Sequence, residues 1–123
     1  MNMLIVALDA VAPASVAAAE VLVVAPALTS GLRRWVSDED AARHRAGQVA
    51  QAFVDQLGRA GVHAEGRIGD ADPLLAIADA LPTFAADEIV IAGRPERSAK
   101  LVSRARRRFA LPIRAAEAPR RAA

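Results

Sequence analysis

The 123-residue chain has no cysteine and no tyrosine. Lacking thiols, it can build no disulfide scaffold, no thiolate zinc site and no cysteine nucleophile. Aromatic residues make up only 3%, so the core must come from Val, Leu, Ile and Ala. The same scarcity denies the chain the stacking platform that single-stranded nucleic-acid binders use. Its longest stretch without a charged residue, Val21 to Leu32, is 12 residues and holds Pro26 and Gly31. A membrane-spanning helix needs about 20. What is present is 54% hydrophobic and 24% charged, a balance suited to one globular domain. The expected division is a domain over 1–115 and a disordered basic tail over 116–123. Met1-Asn2 supplies no basic segment and Asp9 interrupts the first apolar run, so the N terminus reads as cytoplasmic rather than as a secretory signal.

The net charge of +2 conceals a division. Residues 1–92 carry six arginines against twelve carboxylates, a net of −6. Residues 93–123 carry nine arginines and Lys100 against Glu96 and Glu117, a net of +8. Such asymmetry marks either a contact with an anion or acidic partner, or a solvated helix face with a basic tail.

Apolar runs at Leu4–Leu8, Val21–Ala25 and Glu88–Ala92 predict strands buried on both faces. Leaving out Asp9, the eleven residues from Ala10 to Glu20 give room for only a short helix, Pro13 to Ala19, so this first crossover is abbreviated. Ala27 to Val36 reads as a loop through Thr29-Ser30-Gly31 and Trp35. Ser37, with Asp40 as the reaching acid, announces a helix. Its stripe is Ala42, Ala46, Val49, Phe53, Leu57 and Ala60, and Gly61 stops it. Val62, Ala64, Gly66 and Ile68 alternate with polar residues as a half-buried strand near an edge. Asp72-Pro73 starts a helix that buries Leu74, Leu75, Ile77, Ala78 and Leu81, with Pro82 ending it and Phe84 packing inward. Ser98 is the expected cap of a last helix through Leu101, Val102, Ala105 and Phe109. Leu111–Ile113 begins a final short strand. The order predicts an α/β fold: a single open, mostly parallel four- to five-stranded sheet with helices on both faces. Ligands of such folds bind beyond the carboxyl ends of the strands.

Most chemistries find no residues to carry them. His44 and His63 stand alone and share no metal-ligand spacing, so no metal site is expected. Neither a nucleophile elbow nor a glycine-rich phosphate loop follows any strand. Asp70 and Asp72 could share a cation, but as a pair at a helix start they read first as caps. No catalytic residue is assigned and the chain is not expected to be an enzyme. Asp9, at the end of the first strand, either caps the following helix or holds a ribose hydroxyl or a magnesium ion. Facing it is the loop Gly93-Arg-Pro-Glu-Arg-Ser98. Gly93 permits close backbone approach, Ser98 opens a helix N-terminus, and Arg94 and Arg97 offer charge-assisted bonds to a phosphate or carboxylate. The candidate ligand site is therefore Asp9, Gly93, Arg94, Arg97 and Ser98. Lys100, Arg104, Arg107 and Arg108 form the candidate contact for an anion or partner.

Leu4-Ile-Val-Ala-Leu-Asp9, then Gly69 through Ala80, then Ala86-Asp-Glu-Ile-Val-Ile-Ala-Gly-Arg94, and finally Leu111-Pro-Ile113 together resemble the universal stress protein family. The resemblance implies an adenine-nucleotide alpha-hydrolase-like five-stranded parallel sheet, a role in stress response, a cytoplasmic location and homodimers, with ATP bound in one branch. Those ATP-binding members carry Gly-x-x-Gly, nine residues, then Gly-Ser or Gly-Thr. Here Gly93 matches, Glu96 stands at the second glycine, and Arg106 and Arg107 replace the final pair. The implied protein is a divergent member that does not bind ATP in the family's manner and has no obligate cofactor.

Three functions compete. The first is a non-catalytic ligand-binding or regulatory module using the Asp9–Gly93 site for a nucleotide or smaller anion. In the second, an interaction protein lays its basic helix, with Arg114, on an acidic protein or nucleic acid. The third is a structural remnant whose short first helix leaves an apolar sheet face to pair with another chain.

Overall fold

Two apolar runs near the N terminus form the middle of the sheet. β1 (Asn2–Ala7) and β2 (Glu20–Pro26) lie parallel, with Ile5 opposite Val23. The computed structural model describes residues 1–9, 20–28 and 39–116. The expected helix Pro13–Ala19, the Thr29-Ser30-Gly31 loop, Trp35, the Ser37 cap and the tail after Ala116 lie outside the described residues. The remaining elements are α1 (Glu39–Arg59), β3 (Ala64–Gly69), α2 (Pro73–Ala80), β4 (Glu88–Ala92), α3 (Pro95–Arg108) and β5 (Ile113–Ala115). The five strands form one open sheet in the order β3-β2-β1-β4-β5, and every pairing is parallel.

Strand alternation divides the core between the two sheet faces. Leu4, Val6, Leu22, Val24, Ile89 and Ile91 face α2 and α3, meeting Ile77, Leu101 and Val102. Met3, Ile5, Val21, Val23 and Val90 share the other face with Ala46, Ala50, Phe53 and Leu57 of α1. The helices cover both faces, as continuous apolar strands require.

Local chemistry sets most element ends. At the end of α1, Gly61 adopts φ 81°. Its N–H donates to the Gly58 carbonyl at 3.0 Å, and the Val62 N–H donates to the Leu57 carbonyl at 2.8 Å. That pair of bonds is the glycine-ended helix stop expected from the sequence. Asp72 caps α2, its Oδ1 accepting the Leu74 N–H at 3.0 Å, and Pro73 occupies the first turn. The helix ends at Ala80, before Pro82, and Phe84 packs on the core.

Other expectations need correction. Leu75 is exposed, and Ala76 and Ala80 take the buried places on α2. Leu74, Ile77, Ala76 and Ala80 already face the sheet, and a helix this apolar all round has no stripe to read. Ala60 is exposed, and Ala50 is the buried residue missing from the expected α1 stripe. β3 is indeed an edge strand, but it is mostly exposed rather than alternating, and Ile68 lies open against α1. β5 falls at Ile113–Ala115, two residues later than expected. It is held there by Arg106, whose Nε and Nη2 donate to the Ile113 carbonyl at 3.0 and 2.7 Å. No helix among the described residues is long and apolar enough to cross a membrane.

Candidate functional site

The chain runs outward from β1 through β2 to β3, then returns to place β4 on the other side of β1. The strand order therefore reverses between β1 and β4, the position at which open α/β sheets form a ligand crevice. Asp9 follows β1 at this point and Gly93 follows β4. The Leu8 N–H donates to the Ala92 carbonyl at 2.8 Å, carrying the pairing up to the rim. A Cβ on Gly93 would sit 2.9 Å from Leu8 Cβ and 3.3 Å from Asp9 Oδ2. Only glycine lets the two strand ends meet so closely.

That approach delivers the start of α3 to Asp9. The Arg94 N–H donates to Asp9 Oδ2 at 3.0 Å, and Arg97 Nη1 lies 3.7 Å from Asp9 Oδ1. Asp9, Gly93, Arg94 and Arg97, expected from the sequence to share a site, are thus brought together. Asp9 is spent on the N-terminus of α3, a role outside the two foreseen for it.

Ser98 is not brought with them. The expectation that it caps α3 is corrected: the cap position is Arg94, which makes no side-chain capping bond, and Pro95 starts the helix three residues earlier. Proline suits the first helical position because its φ is preset and its missing N–H would be unpaired there anyway. Ser98 is consequently buried inside the first turns, its N–H donating to the Arg94 carbonyl at 2.9 Å and its hydroxyl to the Pro95 carbonyl at 3.4 Å.

Beside Asp9 lies a cavity of about 450 Å³ between the upper ends of β1 and β2 and the first half of α1. Among the described residues Ala7, Leu8, Pro26, Leu28, Ala42, Ala46 and Val49 supply its apolar wall, and Asp9, Arg45 and Arg97 its charges. Its size is that of a small-molecule site. The sequence reading missed Arg45. Its spacing of three from Ala42 and four to Val49 sets it beside the α1 stripe, but nothing in the sequence says which end of the sheet that stripe reaches.

The remaining candidates separate cleanly. The Asp72 N–H donates to Asp70 Oδ1 at 2.9 Å, so with the Leu74 bond these two acids form a capping pair. Lys100, Arg104, Arg107 and Arg108 are exposed. Steps of three and four place them along one flank of α3, continuous with Arg97, while Ser98, Leu101, Val102 and Ala105 form the buried side. Arg106 is on the opposite flank, engaged with β5. Arg114 pairs with Glu88, and Arg108 lies 5.7 Å from the centroid of the Phe109 ring. In comparisons with known proteins, no family model and no curated protein matches the chain.

Proposed function

We propose that the protein is a non-catalytic small-ligand-binding or regulatory module of the universal stress protein type, acting in the cytoplasm as a homodimer in stress response. One observation carries the reading. Asp9, Gly93, Arg94 and Arg97 meet at the reversal of strand order, and Asp9 and Arg97 line a cavity of ligand size. Triphosphate binding in the family's manner is not part of it. β4 passes to α3 through Gly93 and Arg94 alone, and α3 runs unbroken through Arg106 and Arg107. That connection is too short for a glycine-rich loop whose amides surround phosphates.

Thermal unfolding against a panel of nucleotides, phosphate and small organic acids tests the reading. A ligand at a hundredfold its dissociation constant adds about 2.7 kcal/mol, a shift of several degrees. At least one compound is expected to raise the midpoint in the native protein and not in Gly93→Val. A flat response to the whole panel refutes the proposal.

The basic flank of α3 supports a second reading, an interaction protein for an acidic partner. Like charges spaced three and four apart on a helix repel by a few tenths of a kcal/mol per pair, and a polyanion would relieve that. If duplex DNA binds, its affinity should fall with salt at a log–log slope near −0.9 per neutralised phosphate. No binding of DNA or of an acidic peptide at low salt dismisses this alternative.

A further inference from the structure

We infer that the cavity at the switch point takes an amphipathic organic acid with a single negative charge, and that Asp9 is the residue that turns polyphosphates away. This rests on the ligand-binding reading above and names the ligand class for the same site.

The shape argument comes from the wall. Seven of its described residues, contributed by β1 and the residue after it, β2, the segment after β2, and α1, are aliphatic or proline. An apolar body of a few carbons gains by leaving water for such a surface, whereas a ribose or phosphate chain would find few partners along it. The charge argument comes from the rim. Among the described residues that line the cavity, Asp9, Arg45 and Arg97 sum to one positive charge, which one carboxylate balances. Arg45 lies on the α1 wall, on a different element from Asp9 and Arg97, and its planar fork suits a carboxylate.

Asp9 supplies the discrimination. The groups that an anion would seek at the start of α3 are the Arg94 N–H and the Arg97 guanidinium, and the Asp9 carboxylate already holds both, at 3.0 and 3.7 Å. A phosphate chain entering here would meet a fixed negative charge in its own place. Rejecting the wrong ligand by a like charge is a route to specificity beside improving contacts to the right one. The single carboxylate of the proposed ligand avoids the conflict by pairing at Arg45.

The test uses the full chain and four probes: octanoate, 1-octanol, pyrophosphate and ATP, each titrated calorimetrically. In the native protein octanoate is expected to bind at least tenfold more tightly than octanol, and pyrophosphate and ATP not to bind. Arg45→Ala, on an exposed helix position, should cost octanoate about tenfold and leave octanol unchanged. Asp9→Asn keeps an oxygen for the Arg94 N–H while removing the charge, and should admit pyrophosphate. If Asp9→Asn does not fold, the native protein and Arg45→Ala still decide. Equal affinity for octanoate and octanol, or no loss in Arg45→Ala, overturns the inference. So does native binding of pyrophosphate or ATP with octanoate silent, although the ligand-binding reading then survives. Silence of all four probes overturns the inference, and only a flat response to the wider panel removes the reading beneath it.

Discussion

The two halves of α1 press on the same face of the sheet with opposite results. Toward the C terminus, Phe53 and Leu57 are buried against Val21, Val23 and their neighbours, and the layer is filled. Toward the N terminus, Ala42 and Ala46 are just as buried, yet they line a cavity of about 450 Å³. Both halves read alike as one apolar stripe, because periodicity counts positions and not volume. Ala42 and Ala46 are small, so among the described residues the first half of α1 leaves open a space that side chains as large as Phe53 and Leu57 occupy in the second half. The space lies at the rim where the strand order reverses, next to the convergent charges of Asp9 and Arg97. The packed half of α1 secures the fold, and the open half leaves room for a ligand.

Three substitutions test that contrast. Phe53→Ala removes the largest side chain of the filled half, which is 1% exposed, and should cost about 3–5 kcal/mol in urea unfolding. A loss below about 1 kcal/mol would show the lower half to be as loosely packed as the upper. Ala46→Leu adds volume to the open half and should raise stability by about 0.5–2 kcal/mol, the usual gain from filling a cavity. It should also abolish ligand binding, and a variant that is both stabilised and still able to bind would place the site elsewhere. Arg97→Ala touches only the rim. Its side chain is 57% exposed, so the pair with Asp9 should contribute about 0.5 kcal/mol or less once solvent screening is counted. A much larger loss on thermal unfolding would mean that the rim, and not Phe53, ties α1 and α3 to the sheet.

The fold was legible where one local rule sufficed. The strand Glu88–Ala92, the Gly61 stop and the Asp72-Pro73 start stand in the structure as the sequence reading has them, while β1 begins two residues earlier and ends one earlier than its apolar run and β2 extends one residue at each end. Asp9, Gly93, Arg94 and Arg97 were also legible, since each lies within one to five residues of a strand end. Ser98 was misjudged because serine and proline both signal a helix start. Here the approach of Gly93 to Leu8 favours the earlier one. Leu75 was misjudged because an eight-residue helix offers too few polar positions to fix its orientation. Arg45 could not be recognised at all. Its importance depends on α1 crossing back over β2 and bringing its first half to the rim, a fact of topology rather than of composition.

The central position of β1 also bears on how the chain assembles. β1 precedes both of its sheet neighbours in the chain, and the two differ greatly in distance along it. Val23 faces Ile5 from 18 residues away, and Val90 faces it from 85. At ribosomal speeds of about 5–20 residues per second, one side of β1 waits roughly 5 to 20 seconds for its partner strand to be made. During that interval Leu4, Ile5 and Val6 form an apolar strand with an unpaired edge, a template for any other extended chain nearby. The same long-range pairing that creates the crevice at Asp9 is therefore the step at which the nascent chain is most exposed to misassembly.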